Sequence, residues 1–262
     1  MLHCKIMTTL EAILLGILEG VTEFLPISST GHMILASYFL EIKESVTLTT
    51  FQIVVQLGAI LAVVVTYYKK LFKLEMIKKL IVAFIPTGIV GLLVFPFIKH
   101  LLGNPLLVAC MLIVGGVIIL LVEKRYERQT DEGKIIEIST ISYKNAFLLG
   151  LFQTLAIIPG VSRSGAIIIG GLLIRLSRKL LTEFTFLLAV PTMVVASLYT
   201  IIKKYDELSV ESLSPIIIGT VVSFVVALLV IRFILNYVRS HSFSIFGWYR
   251  IIVGIILLFV LW

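Results

Sequence analysis

Two short stretches of the sequence concentrate residue types that are suited to phosphate chemistry. The first, residues 19–32, reads EGVTEFLPISSTGH and holds two carboxylates, an imidazole and three consecutive hydroxyls. The second, residues 159–165, reads PGVSRSG and holds an arginine between two serines. Proline breaks a helix and glycine lets the backbone turn, so both stretches predict helices that stop and present polar groups where they stop.

Glu19 and Glu23 are four residues apart, so on a helix their carboxylates share one face. Three interpretations are open: the pair shares a divalent cation, shares a proton, or packs as neutral groups. Two carboxylates beside an expected phosphate site favour a cation with oxygen ligands, Mg²⁺ or Ca²⁺.

Arg163 is a candidate anion-binding residue, because an arginine inside so apolar a sequence is costly and functional by default. Its planar fork suits a phosphate or a carboxylate. The small neighbours Gly160, Ser162 and Ser164 would let a ligand reach backbone N–H groups at a helix N-terminus. The alternative is a purely structural ion pair with one of the two glutamates.

His32 follows the hydroxyl cluster of Ser28, Ser29 and Thr30. As a nucleophile, acid or base, the imidazole would suit cleavage of a phosphate ester or anhydride. We expect at least one of the three hydroxyls to cap the next helix, and another to contact the phosphate or attack it.

Composition defines the environment of these motifs. The chain has 262 residues, of which 59% are hydrophobic and 14% charged, and its mean hydropathy is +1.12. Such a balance excludes a soluble domain and predicts a polytopic membrane protein. The net charge of +7 then indicates basic loops beside an anionic leaflet rather than nucleic-acid binding.

The apolar runs predict an all-α membrane protein. Six runs reach the length of about 20 residues that a spanning helix needs: 49–68, 80–101, 106–122, 182–202, 215–235 and 245–262. Two further regions, 10–40 and 146–174, are apolar but interrupted by the polar motifs. Both predict re-entrant helical hairpins, which are tolerated only where protein or a wet cavity covers them.

The order of elements repeats. At a shift of 134, Ser28 falls on Ser162 and Gly31 on Gly165. A hairpin followed by three spans occurs twice, and an odd number of spans per copy inverts the second copy, as in many transporters. The predicted single membrane domain contains repeat one (1–122), a cytoplasmic linker (123–145) and repeat two (146–262).

Loop charge predicts the orientation. Lysine and arginine cluster after the first span, after the third span and after the second hairpin, all on one face of a six-span arrangement. The positive-inside rule then places both termini outside, with the first hairpin entering from outside and the second from the cytoplasm. Gln52 and Gln56, one turn apart, either line the central cavity or bond between helices.

Together, the two motifs resemble those of the undecaprenyl-diphosphate phosphatase family, the bacitracin-resistance type of bacterial membrane phosphatase. The resemblance implies hydrolysis of undecaprenyl diphosphate to undecaprenyl phosphate and phosphate, which recycles the lipid carrier for peptidoglycan synthesis. It also implies bacitracin resistance, a multi-pass protein of the bacterial plasma membrane, an active site open to the outer face, and a homodimer.

The resemblance also implies roles for individual residues. Glu19 and Glu23 fall on the family's acidic, metal-linked pair, and Arg163 falls on its diphosphate-binding arginine. Ser29 and His32 fall on its nucleophile and catalytic histidine, and either of them could attack. One departure is Ile167, where the family motif usually carries a threonine.

Two other functions compete with the phosphatase. A polyprenyl-phosphate flippase or transporter would share the inverted repeats and broken helices, but would have less use for a histidine and a serine beside the arginine. A purely structural scaffold would leave the arginine and the acidic pair without a reason.

Overall fold

The fold is all-helical over the residues that the computed structural model describes, which are 7–43, 45–98, 101, 104–127, 137–204, 210–238 and 240–261. Within these ranges the chain forms eleven α-helices: α1 (Thr9–Thr22), α2 (Ser29–Phe39), α3 (Val46–Val54), α4 (Gln56–Leu71), α5 (Leu74–Ile98), α6 (Pro105–Glu127), α7 (Tyr143–Gln153), α8 (Arg163–Leu173), α9 (Arg178–Lys204), α10 (Val210–Tyr237) and α11 (Ser244–Leu261).

Six helical segments of the described chain are long and apolar enough to cross a membrane, as predicted: Val46–Leu71, Leu74–Val94, Pro105–Glu127, Arg178–Lys204, Leu213–Tyr237 and Ser244–Leu261. The second begins at Leu74 rather than at residue 80. Its first turn stays helical because the charged residues there lie at the surface, where Lys78 Nζ lies 3.1 Å from Glu75 Oε1.

The first span is two helices rather than one. α3 ends at Val54 and α4 begins at Gln56, although neither proline nor glycine lies at the junction. Three residues past Val55, Gly58 packs so closely on α10 that an added Cβ would overlap the carbonyl oxygen of Thr220. This approach fixes α4 against α10.

Both interrupted regions form two short helices that contact each other, α1 with α2 and α7 with α8. Each second helix begins at a serine cap: Ser28 Oγ accepts from Gly31 N at 3.3 Å, and Ser162 Oγ accepts from Gly165 N at 3.1 Å. Ser28 has a left-handed φ of 73°, so the chain turns sharply there. The predicted helix break and hydroxyl cap are confirmed.

Glycine contacts set the position of the first helix of each pair. A Cβ on Gly16 would lie 2.6 Å from the carbonyl oxygen of Gly219, so α1 lies directly on α10. A Cβ on Gly150 would overlap the carbonyl oxygen of Ala83, so α7 lies directly on α5. In both cases a helix from one half of the chain packs on the middle span of the other half.

Large apolar side chains cover the outside of the bundle. Leu92, Phe233 and Phe259 are 70%, 64% and 82% exposed. Exposed apolar surface of this extent is unfavourable in water and matches a hydrocarbon environment. The chain is a multi-pass membrane protein.

The predicted linker, 123–145, begins inside a helix, because α6 continues to Glu127. Glu123 is fully buried rather than solvated. Its carboxylate accepts two bonds from Arg178, the one from Nε at 3.0 Å, and one from Phe243 N at 2.8 Å. A buried carboxylate with this set of donors is compensated. Residues 128–136 of the predicted linker lie outside the described ranges.

Candidate active site

The two helix breaks meet at one point of the fold. We call residues 23–30 the first tip and residues 158–164 the second tip. The Ser164 hydroxyl donates to the carbonyl of Leu25 at 2.9 Å and is itself bonded to the Ser162 hydroxyl at 2.9 Å. These contacts join the tips directly.

Glu23 is the centre of the polar cluster. Its Oε1 accepts from Arg163 Nη2 at 2.5 Å, and its Oε2 accepts from the Ser29 hydroxyl. The ion pair that the sequence left open between Arg163 and one of the two glutamates is therefore present, with Glu23 as the partner. A serine hydroxyl that donates to a carboxylate has a proton acceptor already in place.

Most of the N–H donors of Arg163 have no hydrogen-bond partner among the described residues. Its side chain is only 10% exposed, yet Nε and Nη1 have no hydrogen-bond partner among the described residues. Unpaired buried N–H groups are costly, and such a group in a native structure calls for an explanation. Only one arm of the guanidinium is used by the ion pair, and its other donors are available to an anion.

A cavity of about 190 Å³ lies beside this cluster. Seven of the ten predicted site residues line it: Glu23, Ser28, Ser29, Thr30, Ser162, Arg163 and Ser164. The other three, Glu19, His32 and Gly160, are adjacent but do not line it. The cavity has the size for a phosphate-containing head group, and most of the polar atoms chosen from the two motifs surround it.

Glu19 lies one helical turn before Glu23 and does not line the cavity. It is fully buried, beside the carboxyl group of Glu23 and within electrostatic reach of Arg163. Apart from the neighbouring carboxyl group of Glu23, no hydrogen-bond donor among the described residues reaches either of its oxygens. Two adjoining carboxyl groups can share a proton or a hard cation such as Mg²⁺ or Ca²⁺, and the arrangement fits both. The described residues include no group of three or more His, Cys, Asp or Glu that would hold a metal ion without further ligands.

His32 lies behind the first tip. Its Nδ1 is 2.9 Å from the Ser28 carbonyl oxygen and its Nε2 is 2.9 Å from the Tyr249 hydroxyl. A carbonyl only accepts, so Nδ1 carries a proton, and in the neutral ring Nε2 accepts from Tyr249. Both nitrogens are engaged, which leaves the imidazole holding the backbone of the first tip.

Gly160 acts through its backbone. It has φ +88°, and an added Cβ would lie 2.9 Å from the Cα of Val108 in α6. Only glycine combines this conformation with so close an approach. Its carbonyl accepts from Arg250 rather than facing the cavity.

The two glutamines of the first span were predicted either to line the cavity or to bond between helices, and one residue does each. Gln56 lines the cavity, whereas Gln52 Nε2 donates to the Ser37 hydroxyl at 3.2 Å. The position that lacks the family's threonine, Ile167, is fully buried in the apolar core. It has no place in the cavity lining.

Sequence reasoning missed two groups of residues. Thr87, Gln153 and Thr192 line the cavity, and Gln153 Nε2 donates to Thr87 Oγ1 at 2.8 Å. Gln153 falls 134 positions after Glu19, so the internal repeat could have indicated it. The other missed group is Tyr249 with Arg250, and the signal for Arg250 was a lone charge inside the last apolar run.

Sequence comparison with known proteins agrees with the resemblance of the two motifs. A family model described as bacitracin resistance protein BacA matches residues 12–256. An undecaprenyl-diphosphatase of Sulfurihydrogenibium sp. is 47% identical over 256 residues, covering 98% of this chain and 100% of the relative. One from Persephonella marina is 49% identical, covering 97% and 100%. One from Bdellovibrio bacteriovorus is 44% identical, covering 98% and 97%. The chain belongs to the bacitracin resistance protein BacA family.

Proposed function

We propose that this protein hydrolyses undecaprenyl diphosphate to undecaprenyl phosphate and inorganic phosphate. The relatives that carry this activity in their names align with the chain from end to end. The observation that carries the proposal is Arg163, whose unpaired Nε and Nη1 lie at a cavity that also contains Ser29 bonded to a carboxylate.

Ser29 is the nucleophile in this proposal. Its oxygen attacks the terminal phosphorus while its proton passes to Glu23, and undecaprenyl phosphate leaves with the bridging oxygen. Water then cleaves the phosphoserine, which releases phosphate and restores the hydroxyl. Ser29 lines the cavity and already donates to its base, whereas both nitrogens of His32 are engaged. We therefore assign His32 to positioning the first tip.

Charge on the head group is neutralised by Arg163 and the surrounding hydroxyls. Stabilising the transferred phosphoryl group by fixed donors is the main contribution that proteins make to phosphoryl transfer. Arg163 has free N–H groups to offer a phosphate oxygen. The hydroxyls of Ser28, Thr30 and Ser162 line the same cavity and add weaker contacts.

Glu19 and Glu23 are the residues that would hold a divalent cation. The support is the pair of Glu19 oxygens without donors beside a second carboxylate. Two carboxylates are too few for a complete ligand set, so phosphate oxygens and water would supply the rest. When bound, Mg²⁺ or Ca²⁺ adds positive charge to a site that handles a diphosphate.

The same proposal includes inverted repeats with re-entrant hairpins. In support, α1 lies on α10 and α7 lies on α5, the exchange that a two-fold relation between the repeats requires. With the basic loops inside, the first hairpin enters from the outer face, where the head group is taken up. The resemblance adds a homodimer, which the mass of the detergent-solubilised protein would test.

Phosphate release from undecaprenyl diphosphate by the purified protein in detergent tests the function. We expect S29A to lower kcat by at least about 1,000-fold, as loss of a nucleophile does elsewhere. S37A is a matched control, because Ser37 is buried but bonds Gln52 away from the cavity. A wild type that binds the lipid and releases no phosphate would support the flippase instead, a function that the names of the relatives do not favour.

A further inference from the structure

Arg250, in the middle of α11, is among the largest fully buried side chains of the described chain, with 1% exposure. A guanidinium in the interior of a membrane protein is expensive to bury. Neither sequence motif contains this residue, and the chemistry proposed above does not use it. Its contacts therefore need an explanation of their own.

The four hydrogen bonds that Arg250 makes within the described ranges all go to backbone carbonyl oxygens. Nη1 donates to Pro26 at 3.2 Å, and Nη2 donates to Gly160 at 3.1 Å. Nη2 also donates to Met111 at 3.0 Å, and Nε donates to Leu112 at 3.3 Å. No carboxylate of the described residues pairs with it. The side chain thus bonds both tips and α6 at once, and no acid in the described ranges cancels its charge.

The two tip carbonyls occupy equivalent places. Pro26 lies two residues before the cap Ser28, and Gly160 lies two residues before the cap Ser162. Their separation in sequence is 134, the shift that superposes the caps. One guanidinium therefore holds the corresponding backbone atom of each tip.

The surroundings of Arg250 leave space for a guanidinium and for nothing larger. A Cβ on Gly115 would overlap the guanidinium, and one on Gly165 would lie 3.2 Å from Nη1. The neighbouring Tyr249 bonds His32 behind the first tip. α11 thus contacts both tips directly through Arg250, and it contacts the first tip indirectly through Tyr249 and His32.

We propose that Arg250 is a positioning residue of the reaction: by bonding Pro26 and Gly160 together, it fixes the separation of the two tips. That separation sets where Arg163, on the second tip, stands relative to Ser29 and Glu23, on the first. The inference depends on the proposed function, because it concerns the geometry in which the phosphoryl group is transferred.

The test compares kcat and KM of R250M and R250K with those of the wild type, on undecaprenyl diphosphate in detergent. We expect kcat of R250M to fall about 100-fold, the scale of a 1 Å misplacement of catalytic groups. KM should change much less, because the residues that contact the head group remain. R250K should recover only a small part of the loss, because one ammonium cannot bond carbonyls on both tips and α6.

R178M and R178K are the matched controls. Arg178 is partly buried and, like Arg250, joins two helices, here through its ion pair with Glu123, but its bonds to Glu123 reach neither tip. We expect these variants to lose thermal stability while the folded protein keeps the wild-type kcat. If folded R250M keeps the wild-type kcat, as we expect of R178M, the inference is wrong, whatever stability R250M has lost.

G115A covers the case in which R250M does not fold. The added methyl group displaces the guanidinium without removing its charge, so we expect kcat to fall there as well. Wild-type kcat in both G115A and R250K would overturn the inference. An inactive wild type would instead contradict the proposed function, so the two failures are distinguishable.

Discussion

The first and second tips have the same backbone design and different chemistry. Each follows a helix break, and each starts its next helix with a serine that accepts from a glycine N–H three residues later. The first tip carries the carboxylate and the nucleophile candidate, and the second carries the arginine. Two tips of similar backbone geometry therefore meet at one cavity, and their different side chains make the cavity asymmetric.

The largest effect on this comparison is expected from removing the charge of either tip. We expect E23Q and R163M each to lower kcat/KM by about 1,000-fold, the upper range for loss of one preorganised charged contact. Each should also lower the free energy of unfolding by about 3–5 kcal/mol, because the partner charge is left buried. Phosphate release and thermal unfolding in detergent measure the two effects.

The exchanged double variant, E23R with R163E, separates a structural bridge from a catalytic pair. We expect it to recover stability but not activity, because the arginine then lies beside Ser29 and the carboxylate faces the phosphate from the wrong tip. Recovery of both would mean that the pair serves only the fold.

The second comparison is between Glu19 and its counterpart Gln153. Glu19 has no donor among the described residues, whereas Gln153 is satisfied by Thr87. We expect a chelator to abolish phosphate release and added Mg²⁺ or Ca²⁺ to restore it. E19Q should need a cation concentration at least about tenfold higher for half-maximal activity.

E75Q is the control for this measurement, because Glu75 is an exposed glutamate that bonds Lys78. Its cation requirement should equal that of the wild type. An E19Q variant with an unchanged cation requirement would exclude Glu19 as a ligand.

The smallest expected effect is at Ile167, where the family's threonine is missing. Ile167 is fully buried and does not line the cavity, so we expect I167T to leave kcat/KM unchanged. Its stability should fall by about 1–3 kcal/mol, because a hydroxyl is buried among apolar groups. I167V, of nearly the same shape, is the control. A gain in activity specific to I167T would show that the hydroxyl reaches the phosphate.

Local rules were sufficient for much of the site. Pro26, Gly31 and the run of hydroxyls predicted a break and a cap, and both are present at Ser28. The cost of an intramembrane arginine predicted that Arg163 binds an anion, with an ion pair to a glutamate as the alternative. The structure contains that ion pair, to Glu23, and anion binding stays a prediction. The six spans followed from length and hydropathy alone.

Long-range contacts were the part that local rules could not supply. Tyr249 bonds His32 from 217 positions away, and no periodicity in the sequence encodes that pairing. Glu123 was expected in a solvated linker, but Arg178 and Phe243 N compensate its burial. Arg250 was detectable in principle, but it interrupts neither its helix nor its apolar run, so no motif drew attention to it.

The bond between Arg163 and Glu23 uses one arm of the guanidinium and leaves Nε and Nη1 without a partner among the described residues. Under the proposed mechanism a head group can therefore bind without breaking the ion pair, so one side chain joins the two tips and contacts the phosphate at the same time. A ligand without a phosphate anion would leave those N–H groups unpaired, and we expect it to compete poorly with the substrate.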